Sequence, residues 1–367
     1  MKPRSWKACL LLLAIPALGS SASMPAAEIS EDRPFRIQEV RLTVQEKTRP
    51  FDFLLGEKID QIVPARDFVA FRSGRELWVK MENRPVRTLD QLVDLPSGFD
   101  WYEHACAAGD RLVVAVSRYP EGQRIQEELS EIGEFRAGPE AAGFLVVDLG
   151  RKPRATFLES FRVASRPPLQ PGEIEEPLSE LTLGMQSCAW DGDHLYVGDY
   201  GTLARVDLEA GTADLLEEDM LGVNRPALVK DGDGLWYAAF MDSPWMGKWT
   251  PKGVSSLGLE EEAAVDSLLK HRGRLLASSS EGVMEIDEKR RACIRYRLGD
   301  EAVYGLTLQH RKLLGVRDDG WVELDLSGKK AIRYRLEGPG ADNRVLSIGW
   351  FDGDLYLGTV SGLVRVG

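Results

Sequence analysis

Carboxylates that could hold a cation are spread over the second half of this 367-residue chain. Calcium and magnesium prefer oxygen ligands, and a divalent cation held by carboxylates could act as the Lewis acid of a hydrolase or lyase. The acids occupy different positions in successive repeats. Their spacing therefore does not decide whether several of them can reach one ion. The alternative is a solvated acidic surface, and the metal ligands remain unknown from the sequence. The candidates are Asp199, Asp242, Glu260, Glu261, Glu262, Glu281, Asp300, Glu301, Asp318, Asp319 and Asp342.

Large apolar side chains are concentrated in residues 240–249, a segment with turn-forming residues. Three aromatics and two methionines are hard to bury in such a segment, and Trp is favoured where a binding partner covers it. The alternative is that Trp245 and Trp249 pack beneath a neighbouring insertion. The segment and its acidic neighbours predict a binding surface made of Asp199, Tyr200, Phe240, Asp242, Trp245, Trp249, Glu281 and Asp319.

Residues for nucleophilic catalysis or phosphate binding do not form a known arrangement in this sequence. No Ser/His/Asp order, glycine-rich phosphate loop or metalloprotease helix can be assembled. His194, His271 and His310 occupy the same turn of three different repeats, so they cannot meet at a metal, and His104 is expected in a strand. No catalytic residue is therefore predicted.

Three cysteines follow the N-terminal region, and none has the spacing of a metal site. Cys106 and Cys188 are predicted on the innermost strands of neighbouring repeats, where a disulfide would suit an oxidising compartment. Their offsets from the next repeat marker differ by one residue, which turns side chains to opposite faces of their sheets. This difference favours buried free thiols, with Cys293 near an outer strand.

The elements that position these residues repeat at intervals of about 40 residues. Each repeat has a turn, a Leu and a short apolar strand, as in residues 192–199 and 353–360. A period of this length made of short strands predicts an all-β fold, a β-propeller of seven four-stranded antiparallel blades. Six blades are an alternative, as are eight if the long interval after the second marker holds two. The markers are Leu77, Leu112, Leu195, Leu235, Leu275, Leu313 and Leu355.

Aspartates end the third predicted strand of four repeats, namely Asp148, Asp207, Asp287 and Asp325. An Asp at the first position of a turn caps backbone N–H groups with its side chain. We therefore interpret this regularity as turn capping.

Two insertions interrupt the repeat, at about residues 117–142 and 162–183. In a four-stranded blade, the loops between strands two and three and those between blades emerge on one face. Both insertions are of these two kinds, and binding residues concentrate on long loops over a rigid scaffold. The predicted binding surface therefore lies on this face, near blades two to four.

The chain stops after residues 362–366, a third strand without a fourth. Residues 37–44 form a spare strand near the N-terminus. Because radial sheets must not leave a long open edge, we expect this strand to complete the last blade and close the ring.

Several repeats resemble the propeller repeats of the YVTN, quinoprotein-like and two-component-regulator classes. The resemblance rests on residues 195–198 (LYVG) with 205–208 (RVDL), and on residues 322–329 (VELDLSGK). It covers most of the chain and implies a secreted propeller, without implying a catalytic residue. Quinoprotein blades typically close with a Trp, and residues 325–334 lack one, which argues against a quinone cofactor.

The N-terminus reads as a secretory signal, with basic residues before a short apolar run and small residues up to Ala22. The predicted organisation is a signal peptide at 1–22 and a single propeller domain at 23–367. Cleavage takes the net charge from −12 to −15. Such acidity argues against nucleic acid and anionic membranes and favours a basic partner, and no membrane insertion is expected after cleavage.

The sequence favours a non-enzymatic binding platform in the periplasm or outside the cell, with a protein or glycan partner. A divalent-cation-dependent hydrolase or lyase with carboxylates at the central pore is one alternative. An extracellular sensor or assembly scaffold is another. No cofactor is predicted, and calcium is the one left open.

Overall fold

The computed structural model describes residues 36–96, 101–118, 141–167, 180–199, 202–217, 227–239, 245–257, 265–288, 290, 292–299, 302–309, 312–337 and 344–366. The expected signal peptide at 1–22 lies outside these residues.

Regular structure in the described residues is almost entirely β-strand, with one 3₁₀ helix at Leu89–Gln91. Three strands precede the repeats: β1 (Arg36–Arg41), β2 (Thr43–Arg49) and β3 (Asp52–Leu55). The next eight are β4 (Gln61–Pro64), β5 (Phe68–Arg72), β6 (Leu77–Met81), β7 (Arg87–Thr88), β8 (Trp101–Ala108), β9 (Arg111–Arg118), β10 (Ala141–Asp148) and β11 (Arg154–Leu158). The middle of the chain forms β12 (Phe161–Ser165), β13 (Glu180–Leu181), β14 (Ser187–Trp190), β15 (Leu195–Asp199), β16 (Thr202–Asp207), β17 (Thr212–Glu217), β18 (Ala227–Asp231), β19 (Gly234–Ala239), β20 (Trp245–Thr250) and β21 (Gly253–Leu257). The last eleven are β22 (Val265–His271), β23 (Arg274–Ser279), β24 (Gly282–Asp287), β25 (Ala292–Arg297), β26 (Gly305–Gln309), β27 (Lys312–Arg317), β28 (Gly320–Asp325), β29 (Lys330–Leu336), β30 (Val345–Phe351), β31 (Asp354–Thr359) and β32 (Gly362–Val366).

These strands form seven sheets, which are the seven predicted blades. Blades 1 to 6 are β4–β7, β8–β11, β14–β17, β18–β21, β22–β25 and β26–β29, and blade 7 is β30–β32 with β3. The innermost strand of each blade contacts that of the next, and β30 contacts β4, so the sheets form a closed ring. The fold is therefore a seven-bladed β-propeller, as the repeat predicts.

The core is divided among the seven interfaces between blades, each with its own cluster of buried apolar side chains. Strand β9 shows the reason, because Leu112 and Val114 face blade 1 while Val113 and Ala115 face blade 3. A blade packed on both faces needs apolar residues at successive positions. In a sheet with one solvated face, apolar and polar residues alternate along each strand. This explains the continuous apolar runs after each marker.

One of the seven markers is misplaced by the sequence reading. Leu112 and the five later markers lie in the second strands of their blades, whereas Leu77 begins β6, the third strand of blade 1. The second strand of that blade is β5, which starts with Phe68 after a turn without glycine. The motif search therefore found the next hairpin of the same blade, and the blade count is unaffected.

The ring closes through an N-terminal strand, but not the expected one. Strand β3 pairs antiparallel with β32 and completes blade 7. Residues 37–44 instead span β1 and β2, which add parallel fifth strands to the outer edges of blades 5 and 6. We call residues 36–55 the strap, because they cross the outer edges of three successive blades. The prediction of residues 37–44 as the closing strand was wrong, since a short exposed strand does not reveal its partner.

The second insertion adds strands to blade 3. Strand β12 pairs parallel with β17, and β13 pairs antiparallel with β12, which gives a six-stranded sheet. Residues 119–140 of the first insertion lie outside the described residues, as do residues 168–179 of the second.

The expected turn capping is confirmed. Asp207 Oδ1 accepts the backbone N–H groups of Glu209 and Ala210, each at 2.9 Å. Asp148, Asp287 and Asp325 cap their turns in the same way. These hydrogen bonds lower the pKa of Asp207 and Asp325, because they favour the ionised carboxylate.

Cys106 and Cys188 form a disulfide that joins β8 to β14 across the interface of blades 2 and 3. The expectation of free thiols was wrong for this pair, and the one-residue difference in offset is the reason. Cys106 lies opposite Val113, on the face of blade 2 towards blade 3, and Cys188 lies opposite Val197, on the face of blade 3 towards blade 2. A bond between neighbouring blades requires opposite faces of the two sheets. Cys293 is a buried free thiol, and burial raises its pKa to about 11.

Candidate binding surface on the upper face

The upper face is the end of the ring where the turns between strands two and three and the connections between blades lie. On blades 5, 6 and 7, tight turns close it at Gly282, Gly320 and Gly362, each with positive φ. A Cβ at Gly320 would lie 2.1 Å from the carbonyl oxygen of Tyr334, so this turn requires glycine. These turns hold the acidic candidates Glu281, Asp318 and Asp319 at fixed positions.

Glu281 is part of an arginine–carboxylate cluster on blade 5. Arg295 is 1% exposed, and its Nη1 lies 2.6 Å from Glu281 Oε2. Arg297 Nη2 lies 3.3 Å from the same oxygen and 2.7 Å from Oε1 of Glu39 in β1. The hydrogen bond from Arg297 lowers the pKa of Glu39. The carboxylate of Glu281 is therefore engaged in ion pairs that also fasten the strap.

Blade 6 repeats this cluster one blade further. Asp319 binds Arg333, and its Oδ2 lies 3.2 Å from Arg335 Nε. Glu46 in β2 lies 3.1 Å from Arg333 Nη1. Burial raises the pKa of Asp319, but the hydrogen bond from Arg333 and the surrounding arginine charges outweigh it and leave that pKa lowered. Asp319 is thus held ionised by arginines.

Asp318 lies at the same turn and points to the connection with blade 7. Its Oδ1 lies 2.6 Å from Arg344 Nε, and its Oδ2 accepts a 3.2 Å hydrogen bond from the Tyr304 hydroxyl. Across the described part of the chain, no three His, Cys, Asp or Glu residues are grouped to hold a metal ion. Glu281, Asp318 and Asp319 therefore act as partners of arginine.

A polar network that sequence reasoning missed lies between blades 1 and 2 on this face. Arg72 Nη2 lies 2.9 Å from Asp60 Oδ1, and Arg72 Nε donates to Gln61 Oε1 at 3.0 Å. Gln61 Nε2 in turn lies 3.1 Å from His104 Nε2 and donates to the Ala105 carbonyl oxygen at 2.8 Å. His104 lies in β8, as expected. The available signal was Gln61 at the start of β4 and Arg72 at the end of β5, two polar residues in strands that are otherwise largely apolar.

Asp199, at the end of β15 in blade 3, holds a neighbouring connection in place. Its Oδ2 accepts the backbone N–H of Gly184 at 2.8 Å. A Cβ on Gly184 would lie 2.7 Å from the same carboxylate, so this approach depends on glycine. Asp199 therefore contacts the segment that enters blade 3.

The aromatic candidates divide into three groups. Phe240, Asp242 and Tyr200 lie outside the described residues. Trp245 begins β20 at its upper end, but its side chain is likewise not described. Trp249 pairs with Leu235 at the lower end of blade 4, and its indole N–H donates to the Leu216 carbonyl oxygen at 3.0 Å. Trp249 thus packs between blades 3 and 4, away from the upper face.

Similarity to known proteins is confined to the fold. No protein-family profile matches the sequence, and no curated protein matches it. The chain is similar to the extracellular domain of a proposed one-component system, BT4673 from B. thetaiotaomicron, with a TM-score of 0.58, 12% identity and 86% of this chain covered. It is similar to the extracellular domain of a proposed hybrid two-component system, BT3049 from B. thetaiotaomicron, with a TM-score of 0.56, 13% identity and 88% of this chain covered. The chain spans 40% of the length of each of these two structures.

A third similar structure is matched over almost its whole length. It is YCF48 bound to D1 peptide, with a TM-score of 0.54, 9% identity, and coverage of 89% of this chain and 97% of that one. The BT4673 and BT3049 domains confirm, at the level of fold, the resemblance to two-component-regulator propellers seen in the sequence.

Proposed function

We propose that this chain is a non-enzymatic binding module of the periplasm or the extracellular space. It holds a protein segment or a glycan of a partner against the upper face beside blades 2 to 4. The observation that carries this proposal is the unequal length of the loops on that face. Between strands two and three, blades 5 to 7 have tight turns there, whereas residues 119–140 and 240–244 connect these strands in blades 2 and 4.

The similar structures support a protein partner. YCF48, which matches this chain over almost its full length, is described in complex with a peptide. An extended segment can cross several blades of a propeller, and binding residues concentrate on loops over a rigid scaffold. The acidity of the chain favours a basic segment, because complementary charge accelerates encounter and excludes wrong partners.

Placement outside the cytoplasm has separate support. The structures BT4673 and BT3049 are extracellular domains, and disulfides such as Cys106–Cys188 persist in oxidising compartments. No helix among the described residues is long and apolar enough to cross a membrane.

The test is a selection followed by a loop replacement. Residues 23–367 are screened against displayed random peptides and an array of glycans, and each ligand recovered is measured again on two variants. In the first, residues 119–140 are replaced by the Ser280–Glu281 turn of blade 5. In the control, Lys329→Asn changes a lower-face turn. We expect at least tenfold weaker binding with the first variant and unchanged binding with the control.

Two results would contradict the proposal. One is a ligand that binds the loop-replaced variant as tightly as the original chain, and the other is the absence of any specific ligand from both panels. Circular dichroism of the loop-replaced variant checks that the propeller remains folded.

A sensor or assembly scaffold is the second candidate, because two of the similar structures belong to signalling systems. A sensor changes its own association or conformation when its ligand binds. Light scattering with and without a recovered ligand distinguishes it from a passive binding module, for which no change of mass beyond the ligand is expected.

A further inference from the structure

A cavity of about 420 Å³ lies on the lower face between blades 5 and 6. Its walls come from the turn between β22 and β23, the start of β27 and the turn after β28. Apolar side chains form the floor, namely Leu276, Leu313, Leu324 and Leu326. Cationic or titratable residues on its rim are His271, Arg272, Arg274 and Lys312, with Glu323, Asp325 and Ser327 completing the lining.

The cavity arises where blade 6 departs from the pattern of blade 5. At the interface of blades 4 and 5, Lys270 binds Asp231, and Lys248 Nζ lies 2.7 Å from Glu288 Oε2. Asp231 ends β18, and the residue that ends β22 is His271. At the interface of blades 5 and 6, a histidine therefore occupies the position of Asp231, and the equivalent of the Lys270–Asp231 ion pair cannot form.

The second ion pair is lost on the blade 6 side. Glu288 directly follows the Asp that ends β24, and Leu326 directly follows the Asp that ends β28. A Leu cannot replace the charge of Glu288, so the interface of blades 5 and 6 cannot form the ion pair that spans the interface before it. It has a leucine floor in its place.

The rim of the cavity carries three cationic side chains, and two of them are already paired with carboxylates. Arg274 Nη1 lies 2.9 Å from Glu285 and Lys312 Nζ lies 3.0 Å from Glu323. Arg272 is exposed at a turn position with φ of 52°, and no carboxylate among the described residues lies within ion-pair distance of it. Burial lowers the pKa of His271, and the charges of Arg272 and Arg274 lower it further.

Asp325 keeps its negative charge in the lining, because hydrogen bonds within its own turn favour the ionised carboxylate. Its Oδ1 is bound by the Gly328 N–H at 2.9 Å and by the Ser327 hydroxyl at 2.8 Å. An anion entering on the side of Arg272 and Arg274 would meet guanidinium donors at the rim and hydrocarbon below them. Arginine matches the two oxygens of a carboxylate in geometry as well as in charge.

We propose that this cavity binds a small organic anion with an apolar body, such as a medium-chain carboxylate. The carboxylate contacts Arg272 and Arg274, and the hydrocarbon lies on the leucine floor. The volume falls within the range of sites for small molecules. The site is on the face opposite to the proposed partner surface and does not depend on it.

The probes are decanoate, decan-1-ol and acetate, titrated into residues 23–367 by calorimetry. Decanoate carries both the charge and the apolar body, and each of the others carries one. We expect decanoate to bind at least tenfold more tightly than either. In ¹H–¹³C spectra of the histidine rings, we expect the resonances of His271 to shift, while those of His194, on the lower face of blade 3, stay in place.

Variants locate the site. Arg272→Asn removes one rim charge and keeps a residue that tolerates positive φ, and Leu326→Glu places an acid over the floor. Both are expected to weaken decanoate binding at least tenfold. Lys329→Asn is the matched control, because Lys329 also has positive φ in an exposed turn but does not line the cavity, and it is expected to leave the affinity unchanged.

The proposal is overturned by equal binding of decanoate and decan-1-ol, by absence of decanoate binding at millimolar concentration, or by equal losses in Arg272→Asn and Lys329→Asn. Circular dichroism of all three variants excludes loss of fold as the cause of weaker binding.

Discussion

Individual side chains on the outside of this propeller repeat in a way that matches its blades. Glu39 and Glu46 are seven residues apart in the strap, within the similar sequences IQE and VQE. Their partners Arg295 and Arg333 both lie in an IRYRL sequence, in the outer strands of blades 5 and 6. Seven residues of extended chain reach about 23 Å, enough to carry the strap from one blade edge to the next. Paired arginines and glutamates thus set the register of the strap.

The cluster around Asp319 predicts a pH dependence of stability. The folded pKa of Asp319 is lowered, so its stabilisation is complete above the unfolded pKa and is lost as pH falls through the folded pKa. We expect Asp319→Asn to lower the free energy of unfolding by about 1 kcal/mol at neutral pH, since the group is partly exposed. The difference from the original chain should shrink as the pH falls through the folded pKa, because the carboxylate then becomes neutral like Asn.

Urea unfolding at a series of pH values measures this difference. Asp67→Asn is the control, because the Asp67 side chain is 70% exposed and lies 4.0 Å from its nearest arginine. A difference between Asp319→Asn and the original chain that stays constant down to pH 2 would show that the carboxylate does not act through its charge.

At the scale of the element, the strap covers sheet edges that would otherwise be open. Strands β25 and β29 are the outer strands of their blades, and β1 and β2 pair with their full length. Exposed edge strands pair with other chains, so their coverage opposes association. Strand β3 has a different task, because it supplies the fourth strand of blade 7 and joins the two ends of the ring.

Two truncations separate these tasks. Residues 50–367 keep β3 but lack β1 and β2, and we expect a folded ring that associates through its uncovered edges. Residues 57–367 also lack β3, and we expect a markedly lower unfolding midpoint because blade 7 is incomplete. Thermal unfolding and light scattering compare both with residues 23–367, and equal midpoints for the two truncations would disprove the closing role of β3.

The disulfide fixes two neighbouring blades to each other. Its cysteines are 82 residues apart, and a loop of that length predicts a stabilisation of about 4 kcal/mol from the reduced entropy of the unfolded chain. We expect dithiothreitol to lower the unfolding midpoint of the original chain and of Cys293→Ala equally. The double variant Cys106→Ala with Cys188→Ala should be insensitive to the reductant, and a shift in that variant would place the effect elsewhere.

At the scale of the whole molecule, the ring brings acids from separate blades to one face without leaving them free. Glu281 in blade 5 and Asp318 and Asp319 in blade 6 are each bound by an arginine. Among the described residues, no three such side chains are grouped to hold a metal ion.

Thermal unfolding with calcium after treatment with a chelator tests this conclusion. We expect no shift of the midpoint for residues 23–367, because arginines already compensate the described carboxylates. A rise of several degrees that saturates below millimolar calcium would contradict the expectation and direct attention to a cation-dependent hydrolase or lyase.

The architecture and its local turns could be predicted from the sequence, because they depend on residues that are neighbours in the chain. The repeated Leu and its apolar strand indicate a blade packed on both faces, and an Asp such as Asp207 caps a turn two or three residues away. Their spacing favours seven blades over the alternatives of six or eight. The position of Trp249 could not be predicted in the same way, since an aromatic side chain suits a blade interface as well as a binding surface.

Only the tertiary structure decided which distant segments meet. Strand β2 is exposed along its whole length, so no alternation of apolar residues identifies its partner, which lies almost 290 residues away in β29. The disulfide depends on two sheets facing each other, and the lower cavity depends on His271 and Leu326 being brought to one interface. These pairings are settled by closure of the ring, because a residue pattern encodes the face of a strand but not the strand that lies opposite.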